Sequence, residues 1–178
     1  MPGRPPPSDP IYPKRCPHRL PIACYADAER TFAFTLCARR HGKPFTQGAL
    51  AAAVTEALLW RRQHHEWTMH CYCLMPDHLH FIVRLPEGES RQYNAGARGW
   101  VEAGLLDQIG AFKRYTTTQI WRSAGGVGPL WQRSSYDRAM RADESIDAAV
   151  YYVLNNPVRR GLVQRWEEYP YSGIVDPW

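Results

Sequence analysis

Two strand-like runs that meet at a Pro-Asp pair constrain the fold of this chain more than any other feature. The stretch "CYCLMPDHLHFIVRL" covers residues 71–85, and a two-residue break of this kind predicts a tight antiparallel connection. In the second run, His78 and His80 flank Leu79. Because alternate side chains of a strand share a face, the two imidazoles are predicted on one face, about 6.6 Å apart along the strand. Leu79 is predicted to point to the other face, toward the core.

Apolar periodicity predicts the remaining elements of the chain. Strands are predicted over residues 30–39, 66–75, 78–85 and within 131–141, and helices over 47–65, 100–123 and 143–155. The order is therefore β-α-β-β-α-β with an added C-terminal helix. This order is typical of an α+β ferredoxin-like sandwich with an antiparallel sheet.

Length and composition predict one domain with an N-terminal tail. The chain has 178 residues, of which 44% are hydrophobic, enough for a single core. Residues 1–24 are rich in proline, which pairs poorly in helices and central strands, and are predicted to form an extended arm. Residues 25–178 are predicted to form one domain. The polar, glycine-rich residues 86–99 are predicted to be a mobile loop.

The charge of the chain favours a polyanionic partner. There are 22 Lys and Arg against 17 Asp and Glu, a net charge of +5, and the pI is about 9.1. Nineteen of the 22 cations are arginine, which binds phosphate bidentately, although a GC-rich genome also favours arginine codons. The candidate DNA-binding residues flank the two long helices, where an ordinary solvated face is the alternative: Arg39, Arg40, Arg61, Arg62, Lys113, Arg114 and Arg122.

Cysteine usage predicts a reduced, cytoplasmic protein that does not enter a membrane. The five cysteines have no paired spacing, and no signal peptide or long apolar run is recognisable. Cys71 and Cys73 lie two apart on a predicted strand and share a face. We expect them to be buried thiols, with a structural zinc site that includes His78 and His80 as the alternative.

A polar pair on the second long helix could complete a site around the histidines. When residues are placed at 100° intervals, Gln119 lies about 50° and Tyr115 about 90° from the centre of the apolar stripe. The two are spaced i,i+4 and are neighbours on the helix surface. If this helix packs on the histidine face, two imidazoles, an amide and a phenol meet. Neutral ligands suit a divalent ion that polarises phosphate, and tyrosine suits covalent catalysis.

The motifs resemble those of a known family. "LMPDHLHFIV" resembles the HUH motif of single-tyrosine HUH transposases, and "FKRYTTTQIW" resembles their nucleophile helix. "PLWQRSSYDRAMR" and "YYVLNNPVRRGLV" resemble the REP-associated tyrosine transposases within this group. The similarity runs over about residues 25–172.

The resemblance implies a role for each site residue. His78, His80 and Gln119 would bind Mg²⁺ or Mn²⁺, and Tyr115 would become joined to the 5′ phosphate of single-stranded or hairpin DNA. Asp77 stands where these proteins often have asparagine. A domesticated regulator that binds hairpins without cutting them is the alternative function, and both a monomer and a homodimer are compatible with the sequence.

Overall fold

The computed structural model describes residue 25 and residues 30–39, 42–65, 67–84, 91–94, 99–102 and 105–178. The arm expected over residues 1–24 lies outside them. The strands are β1 (Thr31–Cys37), β2 (Thr68–Met75), β3 (His78–Arg84), β4 (Arg91–Asn94), β5 (Gly99–Glu102), β6 (Tyr136–Ala139) and β7 (Ser172–Ile174). The α-helices are α1 (Gly48–His64), α2 (Leu105–Ala124), α3 (Ile146–Leu154) and the short α4 (Asn156–Arg159).

Five strands form one antiparallel sheet in the order β6-β1-β3-β2-β7. The first four have the order of a ferredoxin-like sheet, which confirms the predicted α+β class, and β7 extends its edge. The histidine strand β3 is central. His78 lies opposite Cys37 of β1 and Met75 of β2, and His80 lies opposite Thr35 and Cys73.

The larger core lies between the sheet and the two long helices. Leu79, Phe81 and Val83 point into it from β3, and each is at most 1% exposed. The same core contains the alternate apolar residues of β1 and apolar residues from α1 and α2, among them Leu58 and Phe112. Strand alternation thus directs one row of β3 side chains toward α1 and α2.

The opposite face of the sheet packs against α3. Cys71, Cys73 and Ile82 form a smaller core there with Val150 and Leu154 of α3. Both cysteines are fully buried free thiols, as predicted, and burial raises the pKa of each to about 12. The alternative of a structural zinc site is not supported, because no group of three or more His, Cys, Asp or Glu side chains among the described residues could hold a metal ion.

The structure departs from the expected elements at two places. Residues 91–94 pair with 99–102 as the antiparallel strands β4 and β5, so the expected loop over 86–99 is partly wrong. For the same reason α2 begins at Leu105 rather than at residue 100. Strand β7 was not predicted because three residues are too few for a readable period. Among the described helices, none has both the length and the apolarity to cross a membrane.

Candidate functional site: a histidine pair beneath a third helix

The two histidines are the first and third residues of β3, and their side chains lie on the same face of the sheet. Their ring centroids are 4.5 Å apart, with the rings nearly perpendicular. His78 is 3% and His80 7% exposed, while Leu79 between them is fully buried on the other face. This arrangement confirms the geometry that the alternation predicted, in which two imidazoles face one point.

Each imidazole is oriented by a neighbouring side chain through Nδ1. The Nδ1 atom of His78 lies 2.6 Å from Oδ1 of Asp77, and Nδ1 of His80 lies 2.8 Å from Oγ1 of Thr35. Metal coordination by either ring would therefore use Nε2. Carboxylate and hydroxyl partners of this kind fix ring orientation in metal sites, and Asp77 supplies such a partner where an asparagine is common in the resembling family.

The electrostatics of the pair favour uncharged imidazole at His80. Burial, reinforced by His78 and by Arg159, lowers the pKa of His80 to about 3. The hydrogen bond with His78 lowers the pKa of Asp77, which keeps that carboxyl ionised. His80 is thus a neutral nitrogen donor near neutral pH, as a metal ligand must be.

A pocket of about 490 Å³ opens beside His80, between the sheet and α3. Among its lining residues are the aromatic side chains of Tyr136 of β6 and Tyr152 of α3. Charged residues at its rim include Arg138, Arg141 and Glu144. The pocket therefore brings a phenol into the same cavity as one of the paired imidazoles.

Tyr152 is held within a local set of contacts at the end of α3. The guanidinium carbon of Arg159 lies 3.8 Å from the centre of the Tyr152 ring. Arg159 also donates from Nη2 to Oδ1 of Asn156 over 3.0 Å, and Asn156 donates from Nδ2 to the carbonyl oxygens of Tyr152 and Val153. Asn156 is only 5% exposed. A buried amide and a guanidinium thus fix the turn that carries this tyrosine.

Tyr115 and Gln119 do not join the histidines in this structure. Both lie on α2, which packs on the Leu79 face of the sheet, whereas His78 and His80 point to the face covered by α3. Tyr115 is 50% exposed and close enough to Arg61 of α1 to affect its pKa. The expected convergence of these two residues with the histidine pair is therefore wrong, since α2 covers the other face.

The sequence pattern that singled out Tyr115 and Gln119 also occurs at Tyr152. The tyrosine-amide spacing i,i+4 that singled out Tyr115 and Gln119 recurs in "YYVLNNP", at Tyr152 and Asn156 and again at Tyr151 and Asn155. The structure distinguishes the two pairs, because Tyr152 lines the histidine pocket whereas Tyr151 is 64% exposed. Spacing alone could not choose among three such pairs.

The predicted DNA-binding residues fall into different environments. Arg61 is 8% exposed, and burial lowers its pKa. Arg62 forms an ion pair with Asp176. Lys113 donates from Nζ to the carbonyl oxygens of Gln132 and Ser134. Arg39, Arg114 and Arg122 are exposed, and Arg40 lies outside the described residues. The DNA-binding role of these residues stays a prediction.

The donor set around the histidines fits a metal ion only if other ligand types contribute. Within the described parts of the chain, no cluster of three or more His, Cys, Asp or Glu side chains could hold a metal. Two imidazoles oriented by their neighbours leave the remaining positions to amide, water or phosphate oxygens. Such a mixed nitrogen and oxygen set suits an ion with open positions rather than a closed structural site.

Comparisons of sequence and of fold with known proteins find similarity to the same kind of protein. The chain matches no known family model. It is 26% identical over 115 residues to a protein of Haemophilus influenzae provisionally named as a REP-associated tyrosine transposase, covering 63% of this chain and 61% of that protein. It is 25% identical over 116 residues to the REP-associated tyrosine transposase of Escherichia coli K12, covering 65% and 59%. The chain thus spans about three-fifths of the length of these relatives.

A solved structure shares the fold. It is described as a REP-associated tyrosine transposase bound to a REP hairpin, and it aligns with a TM-score of 0.57 at 22% identity, over 82% of this chain and 77% of that one. At this level of identity the alignment bears on the fold alone. Together with the two sequence relatives, it confirms the resemblance that the motifs indicated: in sequence and in fold, this chain is similar to the REP-associated tyrosine transposases.

Proposed function

We propose that this protein is a single-stranded DNA endonuclease and strand-transferase that cuts through a covalent tyrosine intermediate with a divalent ion, Mg²⁺ or Mn²⁺. The observation that carries the proposal is the shared pocket of His80 and Tyr152. We assign the nucleophile to Tyr152 rather than to Tyr115, because the phenol of Tyr115 lies on the other side of the sheet from the imidazoles.

The proposed reaction transfers a phosphate from DNA to the enzyme. The phenol oxygen of Tyr152 attacks the phosphorus, a bond forms between them, and the bond from phosphorus to the 3′ oxygen breaks. The phenol loses a proton and the departing 3′ oxygen gains one, so the products are a 5′-phosphotyrosine and a free 3′ hydroxyl. Attack by a 3′ hydroxyl reverses the step and rejoins strands without ATP, because the phosphodiester energy is conserved.

The residues around Tyr152 position the reacting groups. His78 and His80 would hold the metal ion, which supplies charge neutralisation on the phosphate. Asn156 is the buried amide beside Tyr152, and we assign to it the third protein position that Gln119 was expected to fill. Arg159, on the face of the Tyr152 ring, fixes that ring and adds positive charge where phosphate must approach.

The substrate follows from the character of the pocket and from the relatives. Exposed or half-buried aromatic side chains, Tyr136 and Tyr152 among them, offer surfaces on which unpaired bases can stack. The solved structure of similar fold is described as bound to a hairpin. We therefore propose hairpin-forming DNA with an unpaired segment as the substrate.

The experiment that tests this function compares three tyrosine-to-phenylalanine variants. The wild type and the variants Tyr152→Phe, Tyr151→Phe and Tyr115→Phe are incubated with Mn²⁺ and labelled oligonucleotides from the genomic neighbourhood of the gene. Denaturing gels then report protein-linked DNA. Tyr152→Phe should lose roughly four orders of magnitude or more in cleavage, as expected for loss of a covalent nucleophile, and the other two should keep most activity.

Mass spectrometry of the wild-type adduct identifies the modified residue independently. The nucleotide should lie on the peptide that contains Tyr151 and Tyr152, and fragmentation of that peptide should place it on Tyr152. A nucleotide on the peptide that contains Tyr115 would restore the assignment made from the motifs and refute the one made from the pocket. Binding of hairpins without an adduct under any metal condition would favour the non-cutting regulator.

A further inference from the structure

A second concave surface, the basic groove, lies on the side of the molecule away from the histidine pocket. It measures about 810 Å³ and is bounded by one side of α2 and by residues 128–133. Its polar lining consists of four cations, two hydroxyls and one amide: Arg39, Lys113, Arg114, Arg133, Thr117, Thr118 and Gln132. None of the described side chains that line it is acidic. The groove thus concentrates positive charge on a concave surface.

Three of the groove arginines have no carboxylate partner. Arg39, Arg114 and Arg133 are exposed and form no ion pair within the described ranges. Three arginines elsewhere on the surface are neutralised by carboxylates, in the pairs Arg62–Asp176, Arg138–Glu144 and Arg165–Glu168. Because unneutralised guanidinium groups in a concave surface create a strong local potential, the groove selects an anion.

Lys113 gives the groove a fixed width. Its ammonium donates to the carbonyl oxygens of Gln132 (3.2 Å) and Ser134 (3.1 Å), which ties α2 to the segment that forms the opposite wall. The indole of Trp131 reinforces this connection by donating to Oγ1 of Thr116 over 2.8 Å. The two walls are therefore joined by side-chain hydrogen bonds before any ligand arrives, which lowers the entropy cost of binding.

The described lining of the groove offers no exposed aromatic surface. Its aromatic residue is Trp131, which is only 3% exposed, whereas Tyr136 in the histidine pocket is 36% exposed. Sites for unpaired strands combine cations with stacking platforms, while the bases of a duplex are already stacked and are approached through phosphate. The described lining of the groove therefore suits a phosphate backbone better than unpaired bases.

The groove and the paired histidines lie near the same end of the sheet. Arg39 lies two residues beyond β1, whose last residue, Cys37, pairs with His78. Asp77, which orients His78, and Lys113 of the groove both lie close enough to Cys37 to affect the pKa of its thiol in opposite directions. A DNA molecule that occupies the groove can thus continue around this end toward the histidines.

We propose that the basic groove binds the phosphate backbone of double-stranded DNA, the paired stem of a hairpin, while the unpaired strand enters the histidine pocket. This inference rests on the proposed function and adds the place where the substrate is held. The contacts are made to phosphate, so they are independent of base sequence, and the recognised site need not be known in order to test them.

The test measures binding of two probes by fluorescence anisotropy in EDTA, where cleavage cannot occur. One probe is a blunt DNA hairpin that consists of a paired stem and a tight loop, and the other is an unstructured oligo-dT. The groove variant is Arg114→Ala/Arg133→Ala. The matched control is Arg84→Ala/Arg165→Ala, which removes the same formal charge from exposed positions that lie outside the groove lining and outside the candidate DNA-binding set.

The groove variant should bind the stem roughly tenfold or more weakly at moderate salt, with the slope of log K against log salt reduced by about 2. Its affinity for oligo-dT should change less than about twofold, and the control should stay close to wild type with both probes. Circular dichroism should show that both variants fold, since all four side chains are exposed.

Three outcomes would overturn the inference in distinguishable ways. An unchanged stem affinity, or an equal loss in the control variant, would refute the groove while leaving the proposed function intact. An equal loss of oligo-dT binding would show that the groove holds unpaired strands instead. A wild-type protein that binds neither probe would refute the proposed function as well.

Discussion

The two faces of the central sheet differ in the kind of chemistry they present. On the α3 face, the buried imidazole of His80 lines a pocket together with Tyr136 and with Tyr152, which is fixed by its neighbours. On the α2 face, arginines without partners among the described residues line the basic groove, and its tryptophan is buried. The first face is built to position a reacting group and the second to attract a polyanion. The two proposals therefore assign catalysis and substrate retention to separate faces, so substitutions on one face should leave the other function unchanged.

Removing the histidines should have the largest effect and should separate the two faces most clearly. We expect His78→Ala/His80→Ala to lose roughly three orders of magnitude or more in metal-dependent cleavage, because the metal contributes several kcal/mol of charge stabilisation. Binding of the blunt hairpin should stay within about twofold of wild type, since the phosphate contacts of the groove are unchanged. Cleavage assays and anisotropy on the same preparation measure both quantities. A parallel loss of hairpin binding would show that the two faces are not independent.

An intermediate effect is expected from the residue between the histidines. Leu79→Ala should lower the free energy of unfolding by about 2–5 kcal/mol, because Leu79 is fully buried in the core beneath α1 and α2. Thr118→Ala is a suitable control, since an exposed residue of α2 should cost no more than about 0.5 kcal/mol. Urea denaturation measures both. Equal midpoints for the two variants would contradict the assignment of alternate β3 residues to opposite faces.

The smallest effect concerns an ion pair at the rim of the histidine pocket. The hydrogen bond from Arg138 lowers the pKa of Glu144 below its ordinary 4.5. A lowered carboxyl pKa stabilises the folded state above pH 4.5, and this contribution is lost as the pH falls through the folded value. Because the pair is partly exposed, Glu144→Gln should cost less than about 1 kcal/mol at pH 7.

Thermal melts of wild type and Glu144→Gln across the acid range measure this contribution. The difference in melting temperature between the two proteins should disappear at a pH low enough to protonate the Glu144 carboxyl in both the folded and the unfolded state. A difference that stays constant into strong acid would indicate that the substitution disturbs packing rather than charge. Stem binding should be unaffected in either case, because neither residue lines the basic groove.

Much of the sheet and half of the candidate site could be predicted from local pattern. A two-residue period is strong in β1 and β3 because each strand buries one apolar row, so His78 and His80 were placed on one face correctly. Element order then led to the antiparallel α+β class. The short strands β4, β5 and β7 carry only three or four residues each, and no period is readable over that length.

The placement of the tyrosine could not be predicted in the same way. The periodicity of an amphipathic helix predicts that the helix packs on a sheet, but it does not predict which face of the sheet the helix covers. The fully apolar row Leu79, Phe81 and Val83 was a usable hint that the two long helices pack there, which leaves the histidine row to another element. Which of Tyr115, Tyr151 and Tyr152 lies near the histidines depends on contacts between residues far apart in the sequence, because these contacts decide which helix covers which face of the sheet.

The sequence of this chain therefore contains the identity and the spacing of its reactive groups, since strand alternation and helical periodicity are local properties of the backbone. The partners of those groups are decided only when the chain has folded. His80 of β3 and Tyr152 of α3 share a pocket because α3 covers the face that α1 and α2 leave open. The packing of helices on the sheet brings together residues that lie far apart in the sequence, and local periodicity does not predict such contacts.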